Sequence, residues 1–218
     1  MSIPSLMINA THASGGIEAT YHGSVENTTD TNSSNFSVPA SVPDNCLLVV
    51  CLGHEGGNSI NGLTGGGYTW TEVVGAVQFG SSDAAIYAAE VTTAPTTITM
   101  STGQNTFRSA AQFYSIVKYS SATAVDTGRN GGASTSSDNL TLTGIQEGDA
   151  MIAFCAHSNV GTTTWTGVTK NYDTNTSENN STFTGGFDYT GSGVTSQFIS
   201  ASLTASAGAM CLVAAAWR

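Results

Sequence analysis

Two histidines at the ends of apolar runs are the residues best placed for acid–base or metal chemistry. His54 ends one such run and is followed by Glu55, and His157 ends a second run. Two imidazoles beside a carboxylate could ligate a metal ion. The two histidines lie in different halves of the chain, however, and no third ligand stands at a diagnostic spacing. We therefore predict no metal centre and no cofactor.

No enzyme motif accompanies these histidines. A Gly-x-Ser-x-Gly nucleophile elbow is absent from the sequence. The glycine run at 65–67 precedes an aromatic strand rather than a helix, which argues against a phosphate-binding loop. Carboxylates could still converge as a glycosidase pair or bind calcium through loop oxygens, but no regular motif supports either. The loop aspartates considered for calcium are Asp30, Asp126, Asp138 and Asp173. We predict a protein without catalysis.

Three aromatic residues give a second hypothesis. Tyr68, Trp70 and Trp165 stand near predicted loop mouths. Aromatic rings there could form a sugar-stacking platform, as in carbohydrate-binding sandwiches. Aromatic residues at strand positions also serve as core residues, because they bury large apolar areas. These three are the glycan-binding candidates if the chain is a carbohydrate-binding or receptor-binding module of a phage tail, a fibre or a bacterial surface protein.

Charge excludes two classes of partner. Five Lys and Arg face fifteen Asp and Glu among 218 residues, for a formal charge of −10. Phosphate contacts dominate nucleic-acid affinity, and anionic membranes attract basic clusters, so we expect neither partner. The sequence has no basic leader and no apolar run of the ~20 residues that a membrane helix needs. We expect a protein made in the cytoplasm.

Low charge and many Ser, Thr, Asn and Gly residues favour strands and tight turns over amphipathic helices. We predict an all-β, jelly-roll-like β-sandwich with negligible helix. Residues 83–90, the best helix candidate, are interpreted as a strand, and 120–137 as a long loop. The expected domain is a single sandwich over 17–218. It is preceded by an arm, 1–16, whose apolar residues Ile3, Leu6, Met7 and Ile8 are the candidates for binding a shell or another subunit.

The second half of the chain repeats the pattern of the first. In both halves a polar strand is followed by a turn, a buried strand that ends in His, a loop and a Trp-Thr segment. We infer two pseudo-repeats, about 17–119 and 138–218, which could be intercalated within one sandwich. The matched segments are 35–39 with 139–143, 42–54 with 145–157, Trp70 with Trp165, and Ile98 with Ile199.

All four cysteines lie inside apolar runs. Free cysteine is among the most buried residue types, so four buried thiols are expected. A disulfide between Cys46 and Cys211, or between Cys51 and Cys155, stays open.

The segments 43–55, 68–73 and 109–117, with Ala-Val-Asp-Thr leading into the second half, resemble the β-sandwich structural proteins of tailed bacteriophages. These are head decoration, or cement, proteins and appendage domains of tail or head fibres. The resemblance lies in composition and strand pattern. It spans about residues 35–218 and rests on no single diagnostic motif. The chain lacks a triple-stranded fibre repeat and a heptad stalk, which favours the decoration type.

The resemblance implies a virion protein without catalysis. Such a protein would bind the major capsid protein or other virion subunits, and would assemble with itself, typically as a symmetric homotrimer. It would be made in the host cytoplasm and reside in the virion. A decoration protein needs adhesive faces and an arm rather than an active site.

Overall fold

Every regular element that the structure describes is a β-strand. The computed structural model describes residues 16–29, 31–56, 59–106, 108–159, 161–176 and 181–218. These contain fourteen strands and no helix, which confirms the all-β prediction. In this part of the chain we also find no helix that could span a membrane. The strands are β1 (Glu18–Asn27), β2 (Thr31–Ser37), β3 (Cys46–Glu55), β4 (Ile60–Thr64), β5 (Thr71–Phe79), β6 (Ser82–Val91), β7 (Thr97–Thr106), β8 (Arg108–Val117), β9 (Asp126–Thr143), β10 (Ala150–His157), β11 (Thr164–Thr166), β12 (Thr169–Thr176), β13 (Ser181–Tyr189) and β14 (Ser196–Trp217).

The first eight strands pair as a jelly roll. β1 pairs with β8, β2 with β7 and β3 with β6, all antiparallel. β8 also pairs with β3, and β7 also pairs with β4. These pairings arrange the eight strands in two antiparallel sheets. This double-sheet arrangement is the jelly-roll solution to closing an antiparallel fold. We call β1-β8-β3-β6-β5 the first inner sheet and β2-β7-β4 the first outer sheet.

The remaining six strands repeat this order because β9 and β14 are each long enough to contribute one segment to each of two sheets. The ladder between β9 and β14 has a register break between Ser202 and Ala207 of β14. On one side of the break, 126–133 and 207–217 join β10, β13 and β12 as the second inner sheet. On the other side, 135–143 and 196–202 join β11 as the second outer sheet. The two jelly rolls follow one another along the chain.

Cross-strand register shows which residues of the two repeats are equivalent. Phe36 lies opposite Ile98 in the first outer sheet, and Leu140 lies opposite Ile199 in the second. All four side chains are buried. These are the pairs that the sequence comparison matched, so the repeat is a property of the fold as well as of the sequence.

Two glycines confirm this equivalence independently. Gly65 follows β4 with a φ of 137°, and Gly167 follows β11 with a φ of 88°. A Cβ on either glycine would collide with the backbone of the neighbouring strand, at Thr97 and at Phe198 respectively. Each outer sheet therefore ends its short third strand at a glycine that permits close backbone approach.

The expected match between Trp165 and Trp70 is wrong. Trp165 lies in β11 opposite Ala201, whereas the first repeat has Leu63 opposite Met100 in the same place. Trp70 instead lies after β4, directly before β5. The short Trp-Thr motif recurs in both halves, but strand pairing places its two copies at different points of the fold.

The expected loop over 120–137 is also wrong from Asp126 onward, because β9 begins there. This Gly- and Ser-rich stretch has little apolar pattern of its own. It becomes a strand by pairing with the apolar end of β14 over 207–217. A Cβ on Gly128 would lie 2.9 Å from a methyl carbon of Leu140, so the absent side chain allows close packing. The segment 83–90 is a strand within β6, as predicted.

Three apolar cores hold four layers together. The first lies between the first outer and first inner sheets and includes Phe36, Leu48 and Ile98. The second lies between the two inner sheets and is formed by both repeats. The third includes Ile199 from the start of β14 and Leu212 from its end, so this strand folds back over its own sheet. The layer order is outer, inner, inner, outer.

The two inner sheets pack closely because glycines in each sheet leave space for large side chains of the other. A Cβ on Gly53 would lie 2.8 Å from ring atoms of Phe154 and Phe183. In the opposite direction, the side chain of Gln112 occupies the space above Gly185. Each repeat therefore supplies both a bulky group and a gap to the shared core, which fixes one relative position of the sheets.

All four cysteines are free and buried. Burial raises the pKa of the Cys46 thiol to about 11 and that of Cys211 to about 12. Burial is also the main cause of the raised pKa values of Cys51 and Cys155. The two disulfides left open by the sequence are not formed, and the thiols act as small apolar core groups.

Candidate functional site

His54 lies at the end of the central strand of the first inner sheet, inside the jelly roll. Its Nε2 atom is 3.4 Å from Oδ2 of Asp83, and neither side chain is exposed. The same Asp83 oxygen accepts a hydrogen bond of 2.8 Å from the backbone N–H of Ile60, where β4 begins. Asp83 therefore fixes the start of an outer strand. The burial of both side chains fits a structural role better than acid–base chemistry.

His157 occupies the equivalent place in the second repeat. Its Nε2 atom lies 3.0 Å from the hydroxyl of Thr163, just before β11. The N–H of Thr163 donates to Asp173, which also accepts a hydrogen bond of 2.8 Å from Lys170. Burial lowers the pKa of His157 to about 4, although Asp173 opposes the shift. The imidazole is neutral at pH 7. His157 holds the residue before β11, as Asp83 holds the first residue of β4 in the first repeat.

The residues considered for metal binding do not converge. His54 and His157 face different cores on opposite sides of the inner sheets. Among the described residues, no three His, Cys, Asp or Glu side chains are grouped as metal ligands. Asp126 accepts a hydrogen bond from the backbone N–H of Thr143, and Asp138 accepts one from the backbone N–H of Asn139. Asp30 lies outside the described residues.

The three aromatic candidates do not form one platform. Tyr68 and Trp70 are half-buried and pack against the core of the first jelly roll, whereas Trp165 packs against that of the second. Their polar atoms are satisfied locally. The Trp70 Nε1 donates to the carbonyl of Gly65 at 3.2 Å, and the Trp165 Nε1 donates to the hydroxyl of Thr184 at 2.9 Å. The arm candidates Ile3, Leu6, Met7 and Ile8 lie outside the described residues.

Both outer sheets present an uncharged face. Their strands carry no Asp, Glu, Lys or Arg except Asp138, which is only 4% exposed. Where side chains are described, the outward positions are Ser, Thr, Asn and Gly, with Phe198 as the one large apolar group among them. In each sheet one row of these side chains crosses all three strands. The rows are Asn35, Thr99 and Thr64 in the first sheet, and Asn139, Ser200 and Thr166 in the second.

These two faces form the candidate interaction site. Because the layers are ordered outer, inner, inner, outer, the faces lie at opposite ends of one stack. Within the first row, the hydroxyl of Thr99 donates to the side-chain oxygen of Asn35 at 2.7 Å, which orders the polar groups. The two rows contain the same kinds of residue. The sequence did not predict this, because it depends on strand register.

Comparison of this chain with protein-family models, with curated proteins and with solved structures finds no match in any of the three.

Proposed function

We propose that this chain is a non-catalytic structural protein of a tailed-bacteriophage particle, and specifically a decoration protein that binds the major capsid protein or other virion subunits. The observation that carries the proposal is the pair of equivalent, uncharged outer faces at the two ends of the four-layered stack. The jelly roll itself agrees, since this architecture occurs in viral capsid proteins as well as in lectins. Fold alone does not define function, so the faces carry the greater weight.

The chemistry of the faces suits contact between proteins. Ser, Thr and Asn side chains donate and accept hydrogen bonds without bringing a charge into the interface, so docking avoids the cost of desolvating an ion. Two faces on one rigid body can contact two neighbouring subunits. A protein that binds only the assembled shell stabilises that state by mass action. The proposed role is therefore to bridge shell subunits.

Self-association completes the proposal. In the described structure, β2 and β4 are the edge strands of the first outer sheet. Open edges are prone to pair with other chains, and a symmetric assembly can use them productively. We propose a homotrimer, made in the host cytoplasm and incorporated into the virion.

The alternative function is a carbohydrate-binding or receptor-binding module of a phage tail, a fibre or a bacterial surface protein. This function requires Tyr68, Trp70 and Trp165 to form a shared platform. These residues lie in different jelly rolls and use their polar atoms internally. The decoration role is therefore preferred.

Locating the protein in particles tests the proposal. Tailed particles banded by density from a culture carrying this gene should contain the chain at many copies, measured by quantitative mass spectrometry. Immunogold labelling should place it on the head. Absence from banded particles, or label confined to tail fibres, would refute the decoration role.

A further inference from the structure

One edge of the first outer sheet, along β2, presents backbone groups that face away from the sheet. The Val38 N–H donates to the Thr96 carbonyl at 3.0 Å, which fixes the alternation of hydrogen bonds along the β2–β7 ladder. Between 33 and 38, even-numbered residues therefore point their N–H and C=O groups at β7, and odd-numbered residues point theirs outward. The outward residues are Ser33, Asn35 and Ser37.

The free part of this edge is bounded at both ends. At one end, the hydroxyl of Thr31 accepts from the Ser33 N–H at 3.2 Å and donates to the Ser33 carbonyl at 3.1 Å. At the other end, Pro39 has no N–H, and its carbonyl accepts from the Val42 N–H at 3.1 Å. In the described part of the chain, no group reaches the outward N–H and C=O groups of the two residues that lie between these ends. A stretch with two free donors and two free acceptors remains.

The second repeat begins the corresponding edge of β9 in the same way but then covers it. The hydroxyl of Thr135 binds both the N–H and the carbonyl of Ser137, as happens at the start of β2. The side-chain amide of Asn130 then donates to the Asn139 carbonyl at 2.9 Å, and the Asn139 N–H donates to Asp138 at 2.8 Å. The asparagine of the second repeat therefore has no free backbone group on its edge, unlike that of the first.

The side chains of β2 do not discourage pairing with another strand. Charged residues and proline are two devices that protect exposed edges. The β2 sequence, Thr-Asn-Ser-Ser-Asn-Phe-Ser, contains neither. Asn35 and Ser37 are exposed on the solvent side, and Phe36 between them is buried in the core. A further strand can therefore be added without burying a charge.

We propose that the β2 edges of two copies of this chain pair antiparallel about a two-fold axis at Phe36. In this register Asn35 lies opposite the partner's Ser37, and the two residues exchange two main-chain hydrogen bonds. The symmetric pair exchanges two more, so every free group of both copies is used. A second copy is the favoured occupant, because it matches the free groups in number and spacing and presents the same patch, as a two-fold contact requires. The two first outer sheets would then form one continuous sheet.

The contact is small, which determines how it would act. Stable interfaces bury about 1,200–2,000 Å², and three residues on each side bury far less. Pairing should therefore depend on concentration in solution, and should be stronger between copies that are held side by side. The contact leaves β4 available to the three-fold contact proposed above. It does not depend on shell binding.

Sedimentation equilibrium of the full chain at increasing concentration tests the contact. The weight-average mass of the wild type should rise towards twice its dilute value. Ser37→Pro removes an N–H that faces the edge and not β7, so the melting temperature should stay the same while the rise in mass is lost. Thr141→Pro, at the equivalent exposed position of β9, is the matched control and should keep the rise. If Ser37→Pro lowers the melting temperature, Asn35→Lys combined with Ser37→Lys should remove the rise instead, because like charges would face each other.

Cysteine crosslinking tests the register. The four native thiols are buried, so they do not compete for oxidation. A mixture of Asn35→Cys and Ser37→Cys chains should form several-fold more disulfide-linked dimer than either variant alone, because these positions face each other across the axis.

Three results would overturn the proposal. The first is a mass that stays constant at every concentration. The second is a rise in mass that the proline and lysine variants both retain, since the copies would then associate elsewhere. The third is crosslinking that is strongest between identical variants, which would contradict the register. None of these results bears on whether the protein is found in virus particles.

Discussion

Gly53 of the first repeat lies directly beneath Phe154 of the second, so close that a Cβ on Gly53 would be 2.8 Å from the Phe154 ring. The two rings of Phe154 and Phe183 are nearly parallel, with centroids 6.5 Å apart, and both are buried. They cannot move aside without opening the core shared by the inner sheets. This contact joins two jelly rolls into one body, on which the placement of both outer faces depends.

Gly53→Ala is predicted to destabilise the protein by about 1–3 kcal/mol, the usual cost of overpacking a core. The measurement is the free energy of unfolding from urea titration. Gly161→Ala is the matched control, because a Cβ there meets nothing within 4 Å. Combining Gly53→Ala with Phe154→Leu should cost less than the sum of the single changes, because the smaller side chain frees space for the methyl group. Strict additivity would mean that the two residues do not compete for space.

His157 gives stability a defined pH dependence. Its folded-state pKa of about 4 lies below the unfolded value of about 6.5, so the unfolded chain takes up the proton first. The stability that the neutral imidazole contributes is complete above pH 6.5 and is lost as pH falls to about 4. The loss is roughly 3 kcal/mol by linkage. Urea titrations between pH 7.5 and 4 should show this loss in the wild type, and a smaller one in His157→Gln. Parallel pH profiles would show that His157 is not the group responsible.

Asp138 changes the stability of the protein with pH in the opposite direction to His157. It is buried, its Oδ2 has no hydrogen-bond partner among the described residues, and burial raises the pKa of the carboxyl. The folded state therefore disfavours the charged form, and this penalty is complete at neutral pH and absent at about pH 3. Asp138→Asn keeps the acceptor for the Asn139 N–H and should raise the melting temperature at pH 7. The gain should vanish at pH 3. A lower melting temperature at pH 7 would contradict the argument.

Arg218 and Asp149 form a bidentate ion pair. Nε and Nη2 of Arg218 donate to the two carboxylate oxygens at 3.0 and 2.7 Å, and Asp149 is 1% exposed. Arg218→Ala leaves this buried carboxylate without its bidentate partner, which should cost about 1–3 kcal/mol. Lys118→Ala, which removes an exposed partner of Glu18, should cost less than about 1 kcal/mol. Equal losses of unfolding free energy would argue that burial of Asp149 is unimportant.

The sequence was sufficient for the fold class and for much of the repeat. Apolar runs that end in His54 and His157 mark the central strands of the inner sheets, and Phe36 and Leu140 mark equivalent outer strands. These features are local: a strand buried on both faces has an unbroken apolar run. Matching two such runs is enough to align the repeats.

Other features depend on pairing and were missed. The Gly-rich start of β9 has no strand pattern of its own and is ordered by β14. Trp165 was matched to Trp70 by motif, whereas register equates it with Leu63. Each outer row joins residues from three strands. No spacing along the chain encodes such neighbours.

Co-sedimentation with purified phage shells that lack decoration tests the proposed function most directly. The wild-type chain should elute as a trimer by light scattering and sediment with shells at a saturable ratio. Thr99→Glu and Ser200→Glu, one on each outer face, should each reduce the bound fraction by placing a charge in the interface. Ser192→Glu, in the exposed turn before β14, adds the same charge off the faces and should bind normally. A wild-type chain that stays in the supernatant, or face variants that bind as well as the control, would contradict the proposal.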